Sequence, residues 1–338
     1  MPAVGYVYDP LYLEHDMPGH PENAGRLRAI MSYLEESGVL SQLTRIEPRD
    51  AGEEELRLAH SAAHIEAVRA TSVMRDHWFD ADTYAVAGSW DAALRAAGGV
   101  LAATDAVLGG DGASAFCLVR PPGHHATPDS AMGFCLFNNV AVAAAHALGG
   151  RGLERVAIVD FDVHHGNGTQ DIFYGDPRVL YFSTHQYPFY PGTGALSETG
   201  EGNVINVPLP RGCGDEQYLR SYRDLCAPAF RRFRPQLILV SAGFDAHFAD
   251  PLAQMLVSTR GYYDIASLLR ELADELCEGR IVYALEGGYH LVALPWSIRA
   301  CLDTLLGNPF APDPLGAAPA LQGPDIAGVL AAVKQRHG

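Results

Sequence analysis

The chain has 338 residues, 48% of them hydrophobic, which is enough length and apolar content for a large buried core. Its formal net charge is −16 and its densest basic run is only Arg231-Arg232-Phe-Arg234, so we expect no nucleic-acid partner, because such binding needs a basic face. There is neither a basic leader at the N-terminus nor a run of about 18 apolar residues, so we also expect no membrane partner.

Short, nearly continuous apolar runs alternate along the chain with longer amphipathic or alanine-rich segments. This alternation predicts a parallel sheet covered by helices on both faces. We therefore expect an α/β fold with one domain over 1–338, built on an open parallel sheet of about eight strands. A surface strap is predicted over 307–324 and a C-terminal helix over 325–336. The predicted strands are Val4–Tyr8, Ala115–Val119, Val156–Asp160, Val179–Ser183, Val204–Val207, Leu237–Ser241 and Ile281–Leu285, and the other predicted helices are Glu22–Glu36, Ser89–Leu108, Asn138–Leu148, Asp215–Phe233, Thr259–Cys277 and Leu294–Leu305.

The six cysteines are scattered and contain no Cys-x-x-Cys pair. Several fall in apolar runs, where a buried free thiol is the expected state. This usage suits a reducing compartment, so we predict a cytoplasmic location and no zinc–thiolate site.

The stretch from Val156 to Gly168 is the most informative part of the chain. A run of apolar, β-branched residues ends in alternating Asp160, Asp162 and His164. Alternate side chains of a strand share a face, so two carboxylates and an imidazole would converge where the strand reaches the surface. Buried carboxylates need a partner or a cation, which favours a divalent metal here. A polar strand end with a helix-capping aspartate is the competing interpretation.

Three other predicted strands end in loops of similar chemistry. Arg120–His125 presents two adjacent imidazoles, and Ser241–His247 and Glu286–His290 carry Asp, His or Tyr beside glycines. Ligand sites of open α/β sheets lie outside the carboxyl ends of the strands. Each polar residue taken singly could be a satisfied turn residue, but the four strand ends together predict one site.

In these residues the chain resembles the zinc-dependent histone deacetylase family of the arginase–deacetylase superfamily, and the resemblance implies that fold. The matches follow the family's order and cover most of the chain. His20-Pro-Glu22, Asn167 and Glu286-Gly-Gly resemble the class II and bacterial amidohydrolase branch. The matching segments are Arg120–His125, Gly133–Cys135, Asn138–Asn139, Asp160–Gly168, Pro191–Gly194, Gly243–Ala246, Asp250–Pro251 and Glu286–Tyr289.

The resemblance implies one Zn²⁺ per chain, held by Asp162, His164 and Asp245. Three such ligands leave a fourth position open for water and substrate, as catalytic zinc requires. The resemblance also implies one or two structural K⁺ ions. The inner potassium site would comprise Asp160, Asp162, His164, Ser183 and Thr184, and the outer site would comprise Phe173, Asp176, Val179 and Asn203.

Catalytic roles follow from the same resemblance. His125 would act as general base and then as general acid, while His124, paired with Asp160, would stay cationic or share its proton. Tyr289 would donate its hydroxyl to the oxyanion. The partner of the second histidine is often Asp in the best-known deacetylases. The amide of Asn167 would orient the imidazole without raising its basicity as a carboxylate does.

The implied reaction is hydrolysis of an N-ε-acyl-lysine amide in a peptide or protein. Gly133, Phe134, Tyr190 and Leu252 would line the substrate tunnel, although core packing is the alternative for both aromatic rings. Acetylpolyamine amidohydrolases share most of these motifs, so a small acylated amine is the alternative substrate. Leu252 stands where a polyamine-specific relative carries an acidic residue, which favours acyl-lysine.

Two other functions stay open. The first is a dimanganese, arginase-like ureohydrolase, because Asp245-x-His247-x-x-Asp250 is similar to the second-metal motif of arginases, although no second set of carboxylates accompanies it. A non-catalytic acyl-lysine reader is disfavoured because every catalytic position of the family is filled. Arg26 would line a channel of this fold or lie on a helix surface. The sequence indicates no oligomeric state.

Overall fold

The computed structural model describes residues 3–110, 112, 114–319 and 323–338. Short 3-10 helices at Pro10–Glu14, Leu40–Gln42 and Thr71–Val73 and a π-helical turn at Tyr222–Cys226 accompany the regular elements. The strands are β1 (Val4–Val7), β2 (Thr44–Arg45), β3 (Asp76–Trp78), β4 (Tyr84–Val86), β5 (Ser114–Cys117), β6 (Val156–Asp160), β7 (Val179–Gln186), β8 (Val204–Leu209), β9 (Leu237–Ala242) and β10 (Ile281–Leu285). The helices are α1 (Gly25–Glu36), α2 (Glu53–Leu56), α3 (Ala62–Ala70), α4 (Ser89–Gly109), α5 (Asn139–Gly149), α6 (Asn167–Phe173), α7 (Asp215–Ser221), α8 (Ala227–Phe233), α9 (Thr259–Cys277), α10 (Ala293–Leu306) and α11 (Ala327–His337).

Eight strands form one open sheet in the order β2-β1-β5-β10-β9-β6-β7-β8. Every neighbouring pair in it is parallel, and helices pack around the sheet. The expected open parallel sheet is therefore confirmed. Strands β3 and β4 form a separate antiparallel hairpin.

The central strands are the most deeply buried part of the sheet. Every residue of β6, β9 and β10 is buried, and Leu239 is paired with Ile158 on one side and with Val282 on the other. Parallel strands covered on both faces need such continuous apolar sequences. Each fully buried aliphatic side chain stabilises the fold by roughly 1.5–3 kcal/mol relative to an exposed one.

Helix α4 has the length and mean hydropathy of a membrane span, unlike what the sequence led us to expect. Of its most apolar stretch of 18 residues, 61% is buried inside the protein. The helix packs against β1, β5 and β10. Gly98 lies so close to the loop Arg49–Ala51 that a Cβ atom there would collide with its backbone. The apolar composition of α4 is therefore explained by close packing in the core.

Several short elements were not predicted: β2, β3, β4, α2, α3 and α6. Both residues of β2 are exposed, so no apolar run marks it. Strand β7 continues beyond the predicted end at Ser183, because the polar residues His185 and Gln186 remain paired with β8. The predicted helix Asp215–Phe233 is interrupted by the π-helical turn between α7 and α8.

The C-terminal region after α10 consists of the predicted strap and the last helix. The predicted strap over 307–324 contains neither helix nor strand in its described part, and residues 320–322 lie outside the described residues. The helix predicted over 325–336 is α11, shifted slightly towards the C-terminus. It packs against β8 through buried Leu330 and Val333.

Four adjacent strands, β5, β10, β9 and β6, position the chemistry. Their carboxyl ends lead into Leu118–His125, Glu286–Tyr289, Gly243–His247 and Phe161–His164. Because the strands are parallel neighbours, these loops emerge at the same edge of the sheet.

Candidate active site

Two carboxylates and one imidazole converge at the ends of β6 and β9. One ligand atom from each of Asp162, His164 and Asp245 lies within 4.8 Å of the others. His164 Nδ1 is 3.1 Å from Asp162 Oδ1 and 3.2 Å from Asp245 Oδ2. The structure thus brings the three predicted metal ligands together.

This arrangement fits a divalent cation. Asp245 Oδ2 is buried and has no partner besides its contact with His164 Nδ1. A Cβ atom at Gly287 would collide with the carboxylates of Asp162 and Asp245, so only glycine lets this loop approach them. The Gly287 N–H also donates to Asp162 Oδ2 at 2.9 Å. Carboxylate oxygens with one imidazole nitrogen are a donor set that suits zinc.

Charge in the metal-free cluster is balanced by a proton. Burial lowers the pKa of His164, but the adjacent carboxylates of Asp162 and Asp245 outweigh this and raise it to about 10. The imidazolium therefore occupies the position that suits a metal cation, and metal binding must displace its proton.

The adjacent histidines His124 and His125 have opposite electrostatic surroundings. Burial opposes the charge of His124, but Asp160 and Asp162 raise its pKa to about 10, and its Nδ1 lies 3.0 Å from Asp160 Oδ2. Burial lowers the pKa of His125 well below its usual value, and the charges of His124 and His164 lower it further. The pair therefore combines one cationic and one neutral imidazole.

His125 is oriented by an amide. Its Nδ1 lies 2.8 Å from Asn167 Oδ1, while Asn167 Nδ2 faces the His125 carbonyl oxygen at 3.4 Å. This arrangement places the His125 ring proton on Nδ1 and leaves Nε2 free to accept another.

Tyr289 follows β10 on the loop that contains Gly287. Burial raises the pKa of its hydroxyl well above the usual value, so the group remains a hydrogen-bond donor. The guanidinium of Arg26 lies 5.0 Å from the centre of the Tyr289 ring. Arg26 is fully buried, so a position on the helix surface is wrong.

Buried ion pairs support the loops behind the histidines. Arg120 pairs with Glu22 and donates to the carbonyl oxygens of Tyr12 (2.9 Å) and His15 (2.7 Å). Glu22 also accepts from Arg26 at 3.1 Å. Because an unpaired buried charge is strongly destabilising, these contacts fix the start of the histidine loop relative to α1.

Glu286 supports the same loop from β10. It is fully buried, and its Oε2 accepts from the backbone N–H groups of Gly123 at 2.6 Å and His124 at 3.1 Å. Burial raises the pKa of Glu286 to about 7 despite the cationic His124 nearby. One oxygen thus fixes two consecutive peptide groups below the histidines.

A cavity of about 420 Å³ leads to this cluster. The four residues predicted to line a tunnel, Gly133, Phe134, Tyr190 and Leu252, all contribute to its wall. Phe134 has a φ of 69°, which is unfavourable for a residue with a side chain. Its N–H donates to Thr83 Oγ1 at 3.1 Å, which helps to hold this conformation.

Part of the cavity wall was not predicted. His20 and Pro21 line it, and the hairpin β3–β4 adds Trp78, Ala81 and Asp82. His20 links the two segments, because its Nε2 lies 2.9 Å from the Asp82 carbonyl oxygen. The sequence signal was weak because both hairpin strands have only three residues and β3 is largely exposed.

The residues predicted for an inner potassium site lie on β6, β7 and the loop after β6. Ser183 is the register partner of Asp160, and both are fully buried. The Thr184 hydroxyl lies 3.2 Å from the hydroxyl of Tyr222.

The residues predicted for an outer potassium site converge on a single atom. Asn203 Nδ2 lies 2.8 Å from the Phe173 carbonyl oxygen, 3.1 Å from that of Asp176 and 3.0 Å from that of Val179. An amide NH₂ group has only two protons for these three acceptors. The NH₂ group of Asn203 therefore occupies the point on which the three carbonyl oxygens converge.

The remaining histidines make local contacts. His247 Nδ1 accepts from the Ala249 N–H at 3.1 Å, and His185 Nε2 lies 2.9 Å from the Gly194 carbonyl oxygen. Among the described residues, His247 does not join a second group of metal-ligating side chains.

Comparison with known proteins places this geometry in a family. The model of the histone deacetylase domain matches residues 20–305. A probable deacetylase of Archaeoglobus fulgidus is 40% identical over 90% of this chain and 87% of its own length. A histone deacetylase-like amidohydrolase of Pseudomonas aeruginosa is 39% identical over 97% and 86%. The crystal structure of the HDA15 HD domain superposes with a TM-score of 0.89 at 38% identity, covering 99% of this chain and 93% of that one.

Metal binding should release a proton. Adding Zn²⁺ to the metal-free protein at pH 6 should displace about one proton from His164, because its pKa is about 10 without the metal. Calorimetric titration in buffers of different ionisation enthalpy measures this release. The variant His146→Ala, which removes an imidazole paired with Asp105, should behave like the wild type. A binding enthalpy that does not depend on the buffer would contradict the prediction.

Proposed function

Since this chain belongs to the histone deacetylase family of hydrolases, with the arginase–deacetylase fold, we propose that it hydrolyses N-ε-acyl-lysine amides with one zinc ion per chain. The observation that carries this proposal is the convergence of Asp162, His164 and Asp245 beside a cationic and a neutral histidine. Three of these groups, His124, His125 and His164, line a cavity that opens to solvent.

The chain supplies the residues for metal-assisted hydrolysis. Bound by Asp162, His164 and Asp245, zinc would polarise the amide carbonyl and lower the pKa of a water molecule to about 7. His125 is neutral and has a free Nε2, so it takes the proton of the attacking water. His125, now an imidazolium, then donates a proton to the departing amine. Such proton-transfer steps contribute roughly 10²–10⁴ in rate.

Two further groups stabilise the negative charge that develops on the substrate oxygen. His124 is held cationic by Asp160 and contributes a fixed positive charge next to His125. Tyr289 contributes a neutral hydroxyl, since burial disfavours its ionisation. Such a donor contributes roughly 10²–10³ in rate when it is already in place before the reaction.

The cavity wall supports an aliphatic substrate chain. Phe134 and Tyr190 give it aromatic surface, and Leu252 places an aliphatic group at the same wall. A lysine stem buries its methylene groups well in such surroundings. The acyl group would then reach the tandem histidines while the peptide remains outside.

A small acylated polyamine is the second candidate substrate. Asp82 lines the same cavity, and burial together with the charge of Asp80 raises its pKa. A second, cationic amine of the substrate would relieve the repulsion between Asp80 and Asp82. Leu252 lies at the same cavity wall but is uncharged and would not attract a second amine, so acyl-lysine remains the first choice.

Structural potassium ions complete the proposal. We place the inner ion between Asp160 and Ser183, and the outer ion at the carbonyl oxygens around Asn203. Hard oxygen ligands of this kind suit a weakly hydrated monovalent cation.

Removal of the proposed base should strongly reduce turnover. For His125→Ala, kcat/KM on an acetyl-lysine peptide should fall by about 10²–10⁴, because no group is left to move the proton. Zinc content should stay at the wild-type value, since His125 is not a ligand. His146→Ala is the matched control and should keep its activity.

The same assay distinguishes the substrate classes. A much higher kcat/KM on N-acetylputrescine than on the peptide would contradict the acyl-lysine proposal in favour of the polyamine. Release of urea from a guanidino substrate would contradict both.

Replacing the amide that orients His125 should change the pH dependence. In Asn167→Asp a carboxylate faces the Nδ1–H of His125 and raises the pKa of that histidine. Because the neutral imidazole is the base, the acidic limb of the kcat/KM profile should move to higher pH. Asn308→Asp adds the same charge away from the cavity and should leave the profile unchanged. An unmoved limb, or one at lower pH, would refute the assignment of His125.

A further inference from the structure

Asp250 connects two walls of the cavity without lining it. It lies in the loop after β9 and is 7% exposed. Its Oδ1 accepts from the Leu252 N–H at 3.0 Å, and its Oδ2 accepts from the Tyr289 N–H at 2.7 Å. Leu252 and Tyr289 both line the cavity. One buried carboxylate therefore fixes the backbone of a wall residue and of the proposed oxyanion donor.

The peptide bond before Tyr289 is held from both of its polar ends. Its N–H donates to Asp250, and its carbonyl group, that of Gly288, accepts from Arg26 Nε at 2.7 Å. Gly288 has a φ of 111°, a conformation that residues with a side chain rarely adopt. Asp250 and the buried Arg26 thus fix the peptide from which the Tyr289 side chain departs.

We propose that Asp250 is a positioning residue that sets the direction of the Tyr289 hydroxyl through the Gly288–Tyr289 peptide group. This inference rests on the proposed function, because it takes Tyr289 as the oxyanion donor. Asp250 itself does not touch the substrate. Displacing a catalytic group by about 1 Å can cost roughly 10²-fold in rate, so a bond of this kind matters for turnover.

The geometry requires a carboxylate at this position. The two oxygens of Asp250 accept from two different N–H groups, and asparagine can satisfy only one of them, because its other terminal atom is a donor. Glu286 differs in this respect, since a single one of its oxygens accepts both of its N–H groups. Asp250→Asn therefore changes little in volume but must break one of the two contacts.

The test combines Asp250→Asn with Tyr289→Phe in the zinc-loaded full chain, assayed on an acetyl-lysine peptide. Asp250→Asn alone should lower kcat by about 10- to 100-fold and change KM little, because the hydroxyl acts in the transition state. In the Tyr289→Phe background the same substitution should have less than about a twofold further effect, since no hydroxyl remains to be positioned. Equal effects in both backgrounds, or wild-type kcat in Asp250→Asn, would overturn the proposal.

A matched control separates positioning from a general loss of stability. Asp215 also accepts two hydrogen bonds, from the Ser258 N–H at 2.7 Å and from the Ser258 hydroxyl at 2.6 Å. It does not line the cavity. Asp215→Asn should lower the melting temperature and leave kcat unchanged.

Crystal structures provide a readout that needs no turnover. In Asp250→Asn the Tyr289 hydroxyl should be displaced or disordered while the three metal ligands stay in place. An unmoved hydroxyl would overturn the inference. If the wild-type protein turned over no acyl substrate, the proposed function would be refuted. The crystallographic comparison would still decide whether Asp250 positions the Tyr289 hydroxyl.

Discussion

The structure depends on the compensation of buried negative charge at one end of the sheet. Asp160, Asp162, Asp245 and Glu286 are at most 1% exposed, and Asp250 lies close by with 7% exposure. Removing a carboxylate from water costs several kcal/mol, even after relaxation. Backbone N–H groups satisfy part of this demand, and two cationic imidazoles satisfy more. Asp245 Oδ2 has only its contact with His164, so it is the oxygen whose charge a metal cation would best compensate.

The way in which this charge is compensated also makes the two adjacent histidines electrostatically different. His124 and His125 are neighbours in the sequence, but Asp160 faces the first and the neutral Asn167 faces the second. Their pKa values are therefore shifted in opposite directions, which gives one fixed cation and one group that can move a proton. Separating two titratable groups in this way is a general means of obtaining an acid and a base at one pH.

The elements and site residues that could be predicted from the sequence are those marked by a repeating apolar pattern or by a family motif. The bounds of β6 and β10 agree with the structure because continuous apolar runs define them, and the polar residues after them form the site. The hairpin with Trp78 and Asp82 was missed because its strands of three residues are short and partly exposed. The role of Asp250 could not be read from the sequence, because its partner Tyr289 is brought to it only by the pairing of β9 with β10.

The most direct test of the central claim is X-ray data collected on both sides of the zinc absorption edge from crystals of the zinc-loaded protein. We predict one anomalous peak per chain, within about 2.0–2.2 Å of ligand atoms of Asp162, His164 and Asp245. A pair of metal peaks in this region, or a zinc peak that these three side chains do not share, would contradict the account.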